Sequence, residues 1–246
     1  MLLNDQAKSL HARLAERYEA DIKTPYSLLA YHWELAEFPD KALHYLVLAI
    51  DEAIEEFSNG DAVLLIGRAL KLIRKHGAAD IIKGHLLRCR RQALFDLGPL
   101  EEAEKTLQES LTTLGSPLPS SNFKLVLGIV KQVFIQYRFT RRKKVKPNLD
   151  VSVATSEQKI MIEADNAYGQ IQLIYYYKSD NFRTVYTAIK GANLGSHSGF
   201  LSSALVRTNA NLAVVVGLIP LRKISNYNLK TAEDQAELLD HPPTTA

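Results

Sequence analysis

The chain has 246 residues, 46% hydrophobic and 23% charged, an ordinary balance for one large folded domain or an extended array. Its net charge of +3 is too small to argue for nucleic acid by itself. The single cysteine, Cys89, excludes an internal disulfide framework and fits a reducing compartment.

The first twenty residues mix acids and bases with no apolar centre, unlike a secretory leader. They predict an amphipathic helix over Leu3–Ala20, with Leu10, Leu14 and Tyr18 on one side and Asn4 or Asp5 as its cap. Thr24-Pro25 breaks it. Helices are then expected over Tyr26–Glu37, Lys41–Phe57 and Asp61–Lys75, separated by turns at Pro39-Asp40 and at Ser58-Asn59-Gly60. Gly60 is expected to supply the left-handed residue of the second turn. Arg74, Lys75 and Gly77 suit a helix C-terminus.

Asp80–Leu97 and Leu100–Leu114 form the next predicted pair around Gly98-Pro99. Phe123–Phe139 is apolar on nearly every side and is expected to be largely buried. Thr140–Asp150 is basic, contains Pro147, and reads as a linker. Thr155 and Gln158 make a capping box that opens a helix to about Lys178. Phe182–Leu194 and Gly199–Val216 follow, joined by GSHSG. The apolar run Leu212–Ile219 stops at Pro220, short of a membrane span. Beyond Gly217 the pattern weakens, and the Pro-rich end reads as disordered.

One spacing organises these elements. Ala42, Leu46 and Ala49 recur as Ala62, Ile66 and Ala69, and more loosely as Ala103, Leu107 and Ser110. A small residue is followed four later by a large one and three later by another small one, so all three share one helical face. Small residues let a neighbouring helix approach while the large one fills the gap, as in helix-pair repeats. The expectation is an all-α, tetratricopeptide-like solenoid of about ten helices in antiparallel pairs. It comprises a first array over 1–139, a basic linker over 140–150, a second array over 151–235 and a disordered tail over 236–246.

Particular residues narrow this further. Leu10-His11, Leu14-Ala15, Leu29-Ala30-Tyr31-His32 and Lys41-Ala42-Leu43-His44-Tyr45-Leu46 are joined by Leu97-Gly98 with Glu102-Ala103 and by Leu114-Gly115-Ser116-Pro117-Leu118-Pro119. Together they resemble the tetratricopeptide-like region that follows the NTPase module in large signalling proteins of the soluble adenylyl cyclase type and related kinase–ATPase fusions. The resemblance runs over about residues 8–218 and departs at Gly195-Ser196, where the family tends to Ala-Glu. It implies a segment of a multidomain protein whose cyclase, kinase or ATPase domains lie upstream.

The residues present carry no complete catalytic set. There is no phosphate-cradling Gly-x-x-x-x-Gly-Lys-Ser/Thr loop and no His-Glu-x-x-His, so neither a nucleotide nor zinc is expected. Ser156-x-x-Lys159, Ser179-Asp180-Asn181 and Lys230-Thr231-Ala232 imitate an acyl-transfer set, but helix initiation and a turn explain the two serines better. His32 and Trp33 are expected to pack between helices, and Cys89, between Arg88 and Arg90, to be an inert core thiol. The sharpest local feature is the basic run Arg138, Arg141, Arg142, Lys143, Lys144 and Lys146, a candidate contact for an anionic partner. The functional expectation is a cytoplasmic, non-catalytic scaffold without cofactor, whose groove binds a peptide, a helix or an adjoining catalytic domain. The alternative is a nucleic-acid-binding array using residues 138–146.

Overall fold

In the computed structural model, residues 2–21, 23–94, 100–141, 147–217 and 222–240 are described, with side chains from residue 5 onward. Eleven α-helices and one short 3-10 turn carry these residues, and no strand occurs among them. The helices are α1 (Leu2–Glu19), α2 (Tyr26–Leu35), α3 (Pro39–Glu55), α4 (Asn59–His76), α5 (Asp80–Leu94) and α6 (Leu100–Thr113), then α7 (Asn122–Thr140), α8 (Ser156–Tyr177), α9 (Asn181–Ser198), α10 (Ser203–Gly217) and α11 (Arg222–Asp240). The fold is all-α, of helical-repeat type.

The chain divides into two compact units, Met1–Thr106 and Leu107–Ala246. The division falls inside α6 and not at the expected linker. Thr140 ends α7, Arg141 is its cap, and residues 142–146 lie outside the described residues. The expected tail also begins too early, because residues 236–240 complete α11; residues 241–246 are outside the described set.

In the first unit each helix from α1 to α5 packs on the next, and α3 also reaches α5. Contact between alternate helices is what stacking of helix pairs produces. Two polar contacts tie alternate helices together, α2 to α4 and α3 to α5. The Arg68 guanidinium donates to Glu34 at 3.1 Å and His85 meets Asp51 at 2.9 Å, and each pair is 34 residues apart. Ala42, Leu46, Ala49, Ala62, Ile66 and Ala69 are all buried, and all but Ala42 share one cluster with Ile50 and Leu86. On α6, Ala103 of this unit and Leu107 and Ser110 of the second are buried too.

One turn recurs in both units. Glu37, Phe57, Gly115 and Ser179 have φ of 60°, 57°, 68° and 55°, the left-handed region. After each, the next N–H donates back five residues, Phe38 to Trp33, Ser58 to Ala53, Ser116 to Leu111 and Asp180 to Tyr175, at 2.8–3.0 Å. Each left-handed residue itself donates three back, to Glu34, Ile54, Thr112 and Tyr176. These are four complete Schellman ends, which satisfy carbonyls the helix would leave orphaned. Phe57, not Gly60, is the left-handed residue of its turn, and Gly60 lies inside α4. Pro39 likewise opens α3, where its missing N–H costs nothing.

In the second unit α8, α9, α10 and α11 pack in succession, α8 also meets α10, and α7 lies against α9 and α11. The capping box forms: the Thr155 N–H donates to Gln158 Oε1 at 2.9 Å and the Gln158 N–H to Thr155 Oγ1 at 3.2 Å. α9 runs four residues past the expected Leu194 and ends on left-handed Gly199. GSHS is therefore helical. Gly195 serves packing there: a Cβ on it would lie 2.6 Å from Asp165 Oδ2 and 2.7 Å from Leu205 Cδ1. α11 is a regular helix where the sequence pattern had weakened.

Candidate functional site

α7 reverses the usual arrangement of a surface helix. Its buried residues are Leu125, Gln132 and Gln136. The two glutamines are held by amides of neighbouring helices: Asn193 Nδ2 donates to Gln132 Oε1 at 2.9 Å, and Gln136 Nε2 to Asn228 Oδ1 at 2.8 Å. Six apolar residues point outward, while Leu125 is buried and Val133 packs on the core. Phe123, Val126, Leu127, Val130, Phe134 and Tyr137 are all exposed, with Phe123 at 74%, Val130 at 62% and Phe134 at 61%. The expectation that Phe123–Phe139 is largely buried is thus overturned. The sequence shows how many apolar residues a helix has, and tertiary packing decides which of its sides turns inward.

These residues have a register. At 100° per residue the six fall within an arc of about 100°. Phe123, Val130 and Tyr137 are seven apart, with Leu127 and Phe134 four beyond the first two, the a/d spacing of a coiled-coil seam about 21 Å long. The exposed apolar area is on the order of 600 Å², at the top of what a monomer's largest patch presents. Lys124, Lys131 and Arg138, again seven apart and exposed, flank one side of this seam. α7 contains no acidic residue. Lys190 of α9 lies near Lys131, and burial together with that neighbouring charge holds its ammonium below the usual lysine range. At the C-terminal end Phe134, Ile135, Arg138, Phe139 and His197 line a recess, with the Phe139 and His197 rings edge to face at 4.8 Å.

The predicted basic patch is only partly described. Arg138 is exposed beside the seam. The Arg141 guanidinium donates to Tyr137 Oη at 2.6 Å and lies over its ring. Arg142, Lys143, Lys144 and Lys146 lie outside the described residues. The other residues singled out from the sequence sit within the helix packing and its turns. Trp33 is buried and its indole N–H donates to Glu19 at 3.0 Å. His32 packs on His11, and burial and that neighbour lower its pKa. Cys89 is buried. Ser156 opens α8 and Ser179 is a Schellman residue.

No protein-family model and no curated protein matches the chain. Among solved structures it is similar to BtubC (BKLC) from P. vanneervenii, at 12% identity and a TM-score of 0.38, over 99% of this chain and 94% of that one. Among the described residues no helix is long and apolar enough to cross a membrane.

Proposed function

We propose that the chain is a non-catalytic protein-interaction module, and that the outward seam of α7 is where a partner docks. The observation that carries this reading is the a/d register of exposed apolar residues on a helix that turns two glutamines inward. A seam of this register is completed by a second helix with the same spacing. The basic flank selects one bearing acidic residues beside its apolar stripe. A second copy of this chain fits less well, since antiparallel pairing of two α7 helices sets Lys124, Lys131 and Arg138 against their own kind. The wider setting, a cytoplasmic segment of a multidomain signalling protein with a cyclase or kinase and an NTPase module, is supported by the sequence resemblance over residues 8–218.

The test is a fluorescence-anisotropy titration of the full chain with a labelled heptad peptide carrying Leu at a and d and Glu at the flanking positions. Micromolar binding is expected. It weakens about tenfold at high salt, from three exposed ion pairs worth about 0.5 kcal/mol each, and is lost in Val130→Glu/Phe134→Glu. No binding, or equal binding by that variant, overturns the reading. So does self-association abolished by the same substitutions, or tighter binding of single-stranded RNA or DNA that depends on residues 138–146.

A further inference from the structure

The packing of α5 on α3 brings three metal-ligating side chains together in the first unit. Asp51 is on α3, and His85 and Cys89 are four apart on α5, so the latter two share a helical face. His85 Nε2 lies 2.9 Å from Asp51 Oδ1 and 3.5 Å from Cys89 Sγ, and all three donor atoms are within 4.8 Å of one another. Around a tetrahedral zinc, with ligand distances of about 2.0–2.3 Å, nitrogen, oxygen and sulfur donors stand about 3.3–3.6 Å apart. The His85–Cys89 edge already has that length. The Asp51–His85 edge needs to open by about 0.4 Å and the Asp51–Cys89 edge, at up to 4.8 Å, to close by up to about 1.2 Å, which a side chain 43% exposed can supply by rotation.

We propose that Asp51, His85 and Cys89 are a three-ligand site for a divalent cation of borderline softness, zinc above all. A mixed sulfur, imidazole and carboxylate set suits zinc better than magnesium or calcium, which want oxygen alone. The buried thiol gives the site its inner ligand and the half-exposed carboxylate its outer one, leaving a fourth position for water or a partner's side chain. Bound there, the ion ties α3 to α5 across one repeat.

Arg88 is the gate. Its guanidinium donates to His85 Nδ1 at 3.1 Å, which makes Nδ1 the acceptor and leaves the proton on Nε2, toward Asp51. A zinc-bound histidine requires the opposite, a bare Nε2 and a proton on Nδ1 given to an acceptor. Metal binding therefore turns Arg88 away, and replacing it with an acceptor strengthens the site.

The experiment is titration of the full metal-free chain with zinc against a chromophoric chelator, with cobalt as the spectroscopic probe. One equivalent is expected to bind, and the cobalt form to show a thiolate charge-transfer band and the strong visible bands of tetrahedral coordination. Cys89→Ser removes the charge-transfer band. Asp51→Asn, at a half-exposed position that leaves the fold intact, weakens zinc at least about tenfold, and Arg88→Gln tightens it about tenfold. Zinc raises the parent's Tm and leaves that of Asp51→Asn unmoved. Absence of the band in the parent, or parent-like zinc affinity and Tm response in Asp51→Asn, overturns the proposal whether or not Cys89→Ser folds.

Discussion

Asp165→Asn should make the protein more stable at pH 8 and leave it nearly unchanged at pH 4. Asp165 is fully buried on α8, with Oδ1 2.8 Å from Thr208 Oγ1. The same hydroxyl lies 2.5 Å from the Ala204 carbonyl, which can only accept. A hydroxyl has one proton. That proton is shared between the Ala204 carbonyl and Asp165 Oδ1, so Thr208 compensates the buried carboxylate only in part. Oδ2 has no partner and faces Gly195. Burial pushes the carboxyl up to about 7, against smaller opposing effects of the Thr208 hydrogen bond and the Arg207 charge. The unfolded value is about 3.9. Between these values the folded state holds a proton that the unfolded state has lost. Stability is therefore highest below about pH 4, falls as pH rises through 4 to 7, and levels off above. About three units at about 1.4 kcal/mol each make the penalty at pH 8 up to about 4 kcal/mol. Asparagine keeps the volume and donates to Thr208 at every pH. Urea unfolding followed by circular dichroism across pH 4–8.5 should show the variant's advantage growing from near zero to about 2–4 kcal/mol. Parallel pH profiles for the two proteins, or a less stable variant at pH 8, would refute the reasoning.

Phe57→Gly relieves an 86% exposed side chain held at positive φ and should stabilise by about 0.5–1 kcal/mol, read as a higher Tm. Gly195→Ala should destabilise by about 1–3 kcal/mol in urea, because the new methyl meets Asp165 and Leu205. Gly67→Ala, inside α4 with open space around it, should stabilise by up to about 1 kcal/mol. Like signs for the two glycine variants would contradict the packing described for α9.

The sequence was most legible where a local rule has a single structural outcome. The triplet at Ala42, Leu46 and Ala49 is buried because small residues on a helical stripe have little reason to be there unless a neighbour comes close. Thr155 and Gln158 cap each other because both partners lie within one turn. Residues that answer to distant neighbours were harder. Phe57 takes a glycine conformation because the Schellman bonds outweigh its strain, and no residue type announces that. Gly195 read as a loop breaker when it was in fact cut to fit Asp165, thirty residues earlier. The outer seam of α7 looked like core because hydrophobicity alone does not separate a helix that fills the protein from one that awaits a partner. The seven-residue recurrence of Phe123, Val130 and Tyr137 beside Lys124, Lys131 and Arg138 was the available signal. Asp51, His85 and Cys89 match no compact metal motif, since two helices bring them together.

The apolar stripe of α7 is surface and not core. Equilibrium unfolding of Val130→Glu/Phe134→Glu tests it directly. The variant's stability should lie within about 0.5 kcal/mol of the parent, since both side chains already face water. A loss of several kcal/mol, of the size that burying two charges in a packed interior costs, would contradict it.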